Sequence, residues 1–140
     1  MKLILWNVRG LNSPGKYRMI KNMIQHEKPH ILFMQETKCN NITLDSILSK
    51  AWSGCQTVMV DASRELGGLA IAWNTQNISL TNFHASHHLI QATFHIIGTN
   101  IHGHLTKCLL PTRFYAKECA AKNVGNSQLH KKPSTLDYRR

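Results

Sequence analysis

The fold is decided by two stretches, KLILWN at residues 2–7 and HILFMQ at residues 30–35. Each is a short apolar run that ends abruptly in polar residues, as a buried strand does where it enters a loop. Between them, the turn cluster at residues 12–15 (NSPG) precedes a stretch with apolar residues at helical spacing, residues 16–28, which Pro29 ends. The pattern predicts a strand, an amphipathic helix and a second strand.

Asn7 and Glu36 stand at the ends of these two predicted strands. A connection of this length usually joins two parallel, neighbouring strands, so that their carboxyl ends lie side by side. Ligand sites in open α/β sheets form at the carboxyl ends of strands. The pattern therefore predicts that Asn7 and Glu36 are partners in a site, although a polar residue after a strand is more often an ordinary loop residue.

The middle of the chain changes from helical to β-type patterning. A short helix is predicted at residues 43–50, capped by Asn40 or Asn41. Short β-type runs separated by turn signals follow at residues 56–60, 68–73, 77–83, 89–97 and 99–102. A βαβ unit followed by an antiparallel β-meander predicts the α+β fold class.

The charge of the chain is strongly basic. Seventeen Lys and Arg against seven Asp and Glu give a formal net charge of +10, which suits a nucleic-acid partner. Much of this charge lies in the last third, where Pro111, Gly125 and Pro133 interrupt the apolar pattern. We therefore divide the chain into residues 1–103 and a divergent basic tail, residues 104–140, which forms one helix or is disordered. Such a tail is as readily a solvated segment as a binding arm.

Membrane and secreted classes do not fit the pattern. No apolar run is long enough for a membrane helix, and residues 3–6 are too short for the centre of a signal peptide. We expect an intracellular protein, nuclear or cytoplasmic, with no membrane partner and with reduced thiols at its four cysteines. A zinc site of His102, His104 and Cys108 is disfavoured because their spacing matches no closed four-ligand pattern. The oligomeric state stays open.

Two segments carry a family resemblance. Residues 2–12 (KLILWNVRGLN) and residues 29–38 (PHILFMQETK), at this separation, resemble the opening of the endonuclease/exonuclease/phosphatase family, in the wording of plant LINE-type (non-LTR) retrotransposon endonucleases. Residues 67–73 (GGLAIAW) are similar to a later strand of the family, and the likeness runs to about residue 101. Residues 1–103 are thus identified as the N-terminal part of such a domain, and the domain is expected to be truncated here.

The resemblance implies a four-layered α/β sandwich of the DNase I-like type, present in part, and hydrolysis of a DNA phosphodiester with Mg²⁺ or Mn²⁺. By matching position, Glu36 is the carboxylate that ligates the metal, and Asn7 lies at the metal and orients the site through its amide. Hard cations take oxygen ligands, and an amide contacts metal, phosphate or carboxylate without adding charge. No small-molecule cofactor is implied.

Two later motifs of the family, Asp-x-Asn and Ser-Asp-His, are absent from this sequence. His102 stands where the family has a tyrosine that approaches the phosphate, either as a functional replacement or through drift. Without a base and donors for the transition state, we expect the chain to be inactive. Three hypotheses stay open: a truncated nuclease, a non-catalytic nucleic-acid-binding module and a functionless retrotransposon relic.

Overall fold

The computed structural model describes residues 1–61, 67–86 and 89–108. Two helices and seven strands follow one another in these residues. They are β1 (Leu3–Asn7), α1 (Lys16–Glu27), β2 (Ile31–Gln35), α2 (Asn41–Ala51), β3 (Cys55–Val60), β4 (Leu69–Asn74), β5 (Ile78–Ser86), β6 (Leu89–Ile96) and β7 (His102–Cys108). The prediction of a helix or disorder beyond Cys108 lies outside the described residues.

Local sequence explains the bounds of the two helices. The inward residues Ile20 and Ile24 lie one turn apart on the buried face of α1. This helix ends at Lys28, which adopts a left-handed conformation and donates its backbone N–H to the carbonyl of Ile24 at 2.9 Å. Helix α2 begins where the Asn40 side chain accepts a hydrogen bond from the Thr43 backbone N–H at 2.9 Å. No helix in the described ranges combines the length and apolar character that crossing a membrane requires.

The strands form two sheets. In the first sheet, with strand order β1-β2-β4-β3, β1 and β2 are parallel and Asn7 is in register with Gln35. Strand β4 runs antiparallel to both β2 and β3. The second sheet is an antiparallel meander of β5, β6 and β7. The opening βαβ unit and the later meander are therefore confirmed.

Two hydrophobic clusters hold three layers together. One cluster joins the first sheet to the second, with Phe33 and Ile71 facing Ile90 and Phe94. The other packs both helices on the opposite face of the first sheet, where alternate residues of β2 and β4 point. The order of layers is helices, first sheet and second sheet. The predicted α+β class and partial sandwich are confirmed.

The last described strand differs from the prediction. Residues 99–102 were expected to form a strand and order was expected to fade after residue 103, but β7 begins at His102 and continues to Cys108. Its buried residues are Gly103, Leu105 and Lys107. Since two of these three are a glycine and a lysine, the apolar alternation that marks a strand is too weak to detect. The division of the chain at residue 103 stays a prediction.

Candidate active site

Asn7 and Glu36 lie side by side at one end of the first sheet. Asn7 is the last residue of β1, and Glu36 directly follows β2, its parallel neighbour. The Asn7 side-chain Nδ2 donates a hydrogen bond of 2.7 Å to Oε1 of Glu36. Both side chains are half-buried. The structure thus brings together the two residues that the sequence paired.

The Asn7 amide is engaged at both of its atoms. While Nδ2 donates to Glu36, the carbonyl oxygen Oδ1 accepts the backbone N–H of Arg9 at 3.1 Å. This second contact fixes which way the amide faces, since the oxygen points to the main chain and the nitrogen to the carboxylate. Asn7 is therefore oriented to hold one carboxylate oxygen of Glu36 in place.

The backbone around this pair adopts conformations that side chains rarely tolerate. Arg9, Glu36 and Lys38 have positive φ angles of 49°, 55° and 49°. Each left-handed residue other than glycine costs about 1–2 kcal/mol, so the surrounding structure must impose these conformations. It does so through hydrogen bonds from the N–H of Gly10 to the Glu36 carbonyl at 2.6 Å and from Leu11 to the Thr37 carbonyl at 2.9 Å. Strain of this kind concentrates at functional sites.

A third segment, residues 67 and 68, closes the other side of Glu36. The Lys38 N–H donates to the Gly67 carbonyl at 2.7 Å, and the buried Thr37 donates its hydroxyl to the same carbonyl at 3.4 Å. Glu36 therefore lies between two backbone segments that are each tied to its neighbours.

The charges around Glu36 suit an anionic ligand held through a cation. In the described part of the chain, the ion pair that the structure shows joins Lys2 to Glu27, and no lysine or arginine forms an ion pair with Glu36. Arg9 and Lys38 expose their side chains to solvent on the two loops beside it. The Glu36 carboxylate is thus left available for a positively charged partner.

The donor set fits a hard divalent cation only in part. Glu36 supplies one carboxylate, and Mg²⁺ typically uses one or two carboxylates together with waters and substrate phosphates. Across the described residues, no group of three or more His, Cys, Asp or Glu side chains could hold a metal. A site built on Glu36 is therefore an open one that would depend on other oxygen donors.

The histidine candidates lie in the second sheet. His102 pairs with His95 at the start of β7, is exposed, and its Nδ1 lies 3.2 Å from the carbonyl of Asn100. His104 and Cys108 lie further along the same face of β7. At the rise of a strand, four residues place Cys108 about 13 Å beyond His104. This separation keeps the three side chains from closing around one zinc ion.

Sequence reasoning missed two contributors to the site. Lys16, read as a solvent-facing helix residue, donates its Nζ to the Val8 carbonyl at 2.7 Å and so ties α1 to the loop after Asn7. Gly67 was read as a turn residue, and its carbonyl instead contacts the segment beside Glu36. The pair Gly67-Gly68 was the available signal, because adjacent glycines often mark close backbone approach.

Comparisons with known proteins agree with this geometry. A family model described as the Endonuclease/Exonuclease/phosphatase family matches residues 4–127. No match was found among curated proteins.

Solved structures with the same fold cover much of this chain. The catalytic domain of human Nocturnin with a bound sulfate anion is 17% identical, with a TM-score of 0.58, covering 74% of this chain and 47% of its own. TDP2 of D. rerio complexed with a single-strand DNA product is 16% identical, with a TM-score of 0.56 and coverage of 74% and 43%. The AP endonuclease LMAP of Leishmania major is 19% identical, with a TM-score of 0.54 and coverage of 76% and 39%. The chain spans less than half the length of these three structures.

Proposed function

The chain belongs to the Endonuclease/Exonuclease/phosphatase family, and on this premise we propose that Asn7 and Glu36 form the metal-binding part of a phosphodiesterase centre that acts on DNA. The observation that carries the proposal is the 2.7 Å hydrogen bond from Asn7 Nδ2 to Glu36 Oε1 at the ends of two parallel strands. By this proposal the chain alone holds part of a catalytic centre and does not complete the reaction.

Glu36 is the metal ligand in this proposal. Its carboxylate is the type of oxygen donor that Mg²⁺ and Mn²⁺ prefer, and it forms no ion pair with a lysine or arginine of the described residues. Asn7 holds one carboxylate oxygen, which leaves the other to face a cation. A bound divalent cation would supply Lewis-acid stabilisation of the charge that develops on a phosphoryl oxygen.

The incomplete set of residues explains the second half of the proposal. Hydrolysis also needs a group that activates water and donors that stabilise the transition state. The Asp-x-Asn and Ser-Asp-His motifs that supply them in the family do not occur in this sequence. Catalytic groups that act together lose most of their effect together, so the missing groups remove many powers of ten in rate.

DNA is the proposed substrate class for two reasons. The net charge of +10 favours a polyanion, and Arg9 and Lys38 expose cationic side chains on both loops of the site. The neighbouring TDP2 structure holds a single-strand DNA product, and another neighbour is named as an AP endonuclease. The wording NVRGLN and QETK further supports kinship with plant LINE-type retrotransposon endonucleases, as part of this proposal.

Binding of Mn²⁺, followed by electron paramagnetic resonance, tests the proposal. The wild-type chain is expected to bind Mn²⁺ weakly and Glu36→Gln to lose that binding, because the amide carries no negative charge. Glu27→Gln is the matched control, since Glu27 is exposed and pairs with Lys2 on another part of the surface. Binding of Mn²⁺ by Glu36→Gln at wild-type strength would contradict the proposed role.

Nicking of supercoiled plasmid in Mg²⁺ tests the incompleteness of the centre. We expect no nicking above that of Glu36→Gln. EDTA-sensitive nicking that disappears in Glu36→Gln would show that the chain completes the reaction and would overturn this part of the proposal.

A second candidate function, non-catalytic binding of nucleic acid, is favoured by the net charge of +10. In that case DNA affinity falls steeply with salt concentration and is the same for Glu36→Gln as for the wild type. Fluorescence anisotropy with labelled DNA measures both quantities. Affinity that is independent of salt would count against it.

A further inference from the structure

We infer that Gly67 is a positioning residue for Glu36: the lack of a side chain at Gly67 is what allows the Glu36 carboxylate to meet Asn7. The inference rests on the proposed function and extends it to a residue outside the Asn7–Glu36 pair.

The close approach of the two residues carries the inference. A Cβ atom added at Gly67 would lie 2.8 Å from Glu36 Cα, 3.1 Å from its Cβ and 3.1 Å from its Cγ. The last two atoms are the first two of the side chain that carries the carboxylate. Any residue larger than glycine would therefore occupy space that the Glu36 side chain now fills.

Gly67 is needed for space and not for its backbone conformation. The glycines with positive φ in the described residues include Gly68, at 83°, but not Gly67. A side chain at Gly67 would thus meet no backbone penalty of its own. What opposes it is the neighbouring Glu36.

Neither backbone can withdraw to make room. The Gly67 carbonyl accepts hydrogen bonds from the Lys38 N–H at 2.7 Å and from the Thr37 hydroxyl at 3.4 Å. On its other side, the Glu36 carbonyl accepts the Gly10 N–H at 2.6 Å. Because both main chains are tied, an added methyl group displaces the Glu36 side chain and separates its carboxylate from Asn7.

Gly67→Ala in the full chain tests the inference, with Gly103→Ala as the matched control. A Cβ at Gly103 would also lie 2.8 Å from its nearest neighbour, but that neighbour is the ring of Phe94 in the core between the sheets. Both variants are therefore expected to lower the Tm. Only Gly67→Ala is expected to weaken Mn²⁺ binding, by about 10- to 100-fold, as for loss of a group that orients a metal ligand.

A spectroscopic signal reports the positioning without any metal. In ¹⁵N-labelled protein, the side-chain amide resonance of Asn7 reports its hydrogen bond to Glu36. Gly67→Ala and Glu36→Gly are expected to shift it in the same direction, and Gly103→Ala is expected to leave it in place. An unchanged Asn7 signal in Gly67→Ala would overturn the inference.

Combining Gly67→Ala with Glu36→Gly keeps the test decisive if the single variant folds poorly. Glu36→Gly removes the Cβ and Cγ atoms that the new methyl would meet, so the Tm loss from Gly67→Ala should shrink in that background. An equal loss in both backgrounds, or failure of both to fold, would overturn the inference. If Glu36→Gln keeps Mn²⁺ binding, the proposed function fails, whereas the amide signal and the combined variant still decide the role of Gly67.

Discussion

The two ends of the first sheet differ in what they offer a ligand. At one end, Asn7 and Glu36 meet in strained loops with little enclosed space. At the other end, where Trp73 pairs with Ile31 at the start of β2, a cavity of about 530 Å³ opens between α2, β3 and β5. Its lining includes Asp45, whose carboxylate accepts a hydrogen bond from the Thr57 hydroxyl.

This difference shows that space and chemistry are separate in this protein. The cavity is walled by the tilted rings of Trp73 and Phe83, whose centroids lie 5.5 Å apart, and its one acidic residue has a hydrogen-bond partner. Of the five non-glycine residues with positive φ in the described ranges, three lie in the loops of the Asn7–Glu36 end. The other two are Lys28, which caps α1, and Asn82, at the irregularity in β5. Strain, and not volume, marks the candidate site.

The largest effect is expected at the cavity end, from Trp73→Ala. Trp73 is 4% exposed and packs between the two sheets, so its truncation should lower the free energy of unfolding by about 3 kcal/mol. Mn²⁺ binding should be unchanged, because Trp73 lies at the opposite end of β4 from the site. Urea denaturation and Mn²⁺ titration measure the two quantities.

Phe83→Ala is the control for Trp73→Ala. Its ring lines the same cavity but is 40% exposed, so its loss should cost only about 1 kcal/mol. If Trp73→Ala weakens Mn²⁺ binding as much as Glu36→Gln does, the two ends are coupled and the comparison fails.

A smaller effect of opposite sign is expected where a left-handed residue becomes glycine. Lys28, just before β2, and Glu36, just after it, have φ angles of 45° and 55°. Lys28→Gly should raise the free energy of unfolding by about 0.5–1 kcal/mol, since glycine adopts this conformation without strain. Glu36→Gly should gain less, because it also loses the hydrogen bond from Asn7.

These two variants sharpen the comparison through their effect on metal binding, measured alongside thermal unfolding. Glu36→Gly should abolish Mn²⁺ binding, whereas Lys28→Gly should leave it intact. Equal Mn²⁺ affinities in the two variants would mean that the strained backbone at Glu36 has no functional counterpart.

The smallest effect concerns two half-buried thiols, one near each end. Burial raises the pKa of Cys39, near the site, and of Cys55, in the cavity wall; Asp61 and Asp45 raise them further. Because the folded chain holds these protons to higher pH than the unfolded chain, their contribution to stability is complete below the ordinary thiol pKa. It is lost as the pH rises through the raised pKa.

Alkylation by iodoacetamide, resolved by peptide mass spectrometry, checks both thiols. The half-maximal rate of each should occur at a higher pH in the folded chain than in urea. A lower pH for either thiol would show that a nearby positive charge, and not burial, controls its pKa.

Much of the fold was predictable because its signals are local. The runs KLILWN and HILFMQ predicted adjacent parallel strands, and β1 and β2 are paired in that way. Strand β7 was misplaced because Gly103 and Lys107 occupy inward positions where apolar residues were expected. Lys16 looked like a surface residue, and its contact with Val8 depends on where the first loop lies above α1. The metal-binding role of Asn7 and Glu36 and the division at residue 103 stay predictions.

By itself, the sequence determined which residues end the first two strands and therefore that Asn7 and Glu36 stand close together. Periodicity, turn residues and the length of the connection are properties of neighbouring residues, so they can be read along the chain. Only the tertiary structure decided that Gly67 packs against Glu36, that Asn7 donates to Oε1, and that the cavity lies at the far end. Each of these depends on how segments distant in sequence pair and pack, which the pattern along one segment does not contain.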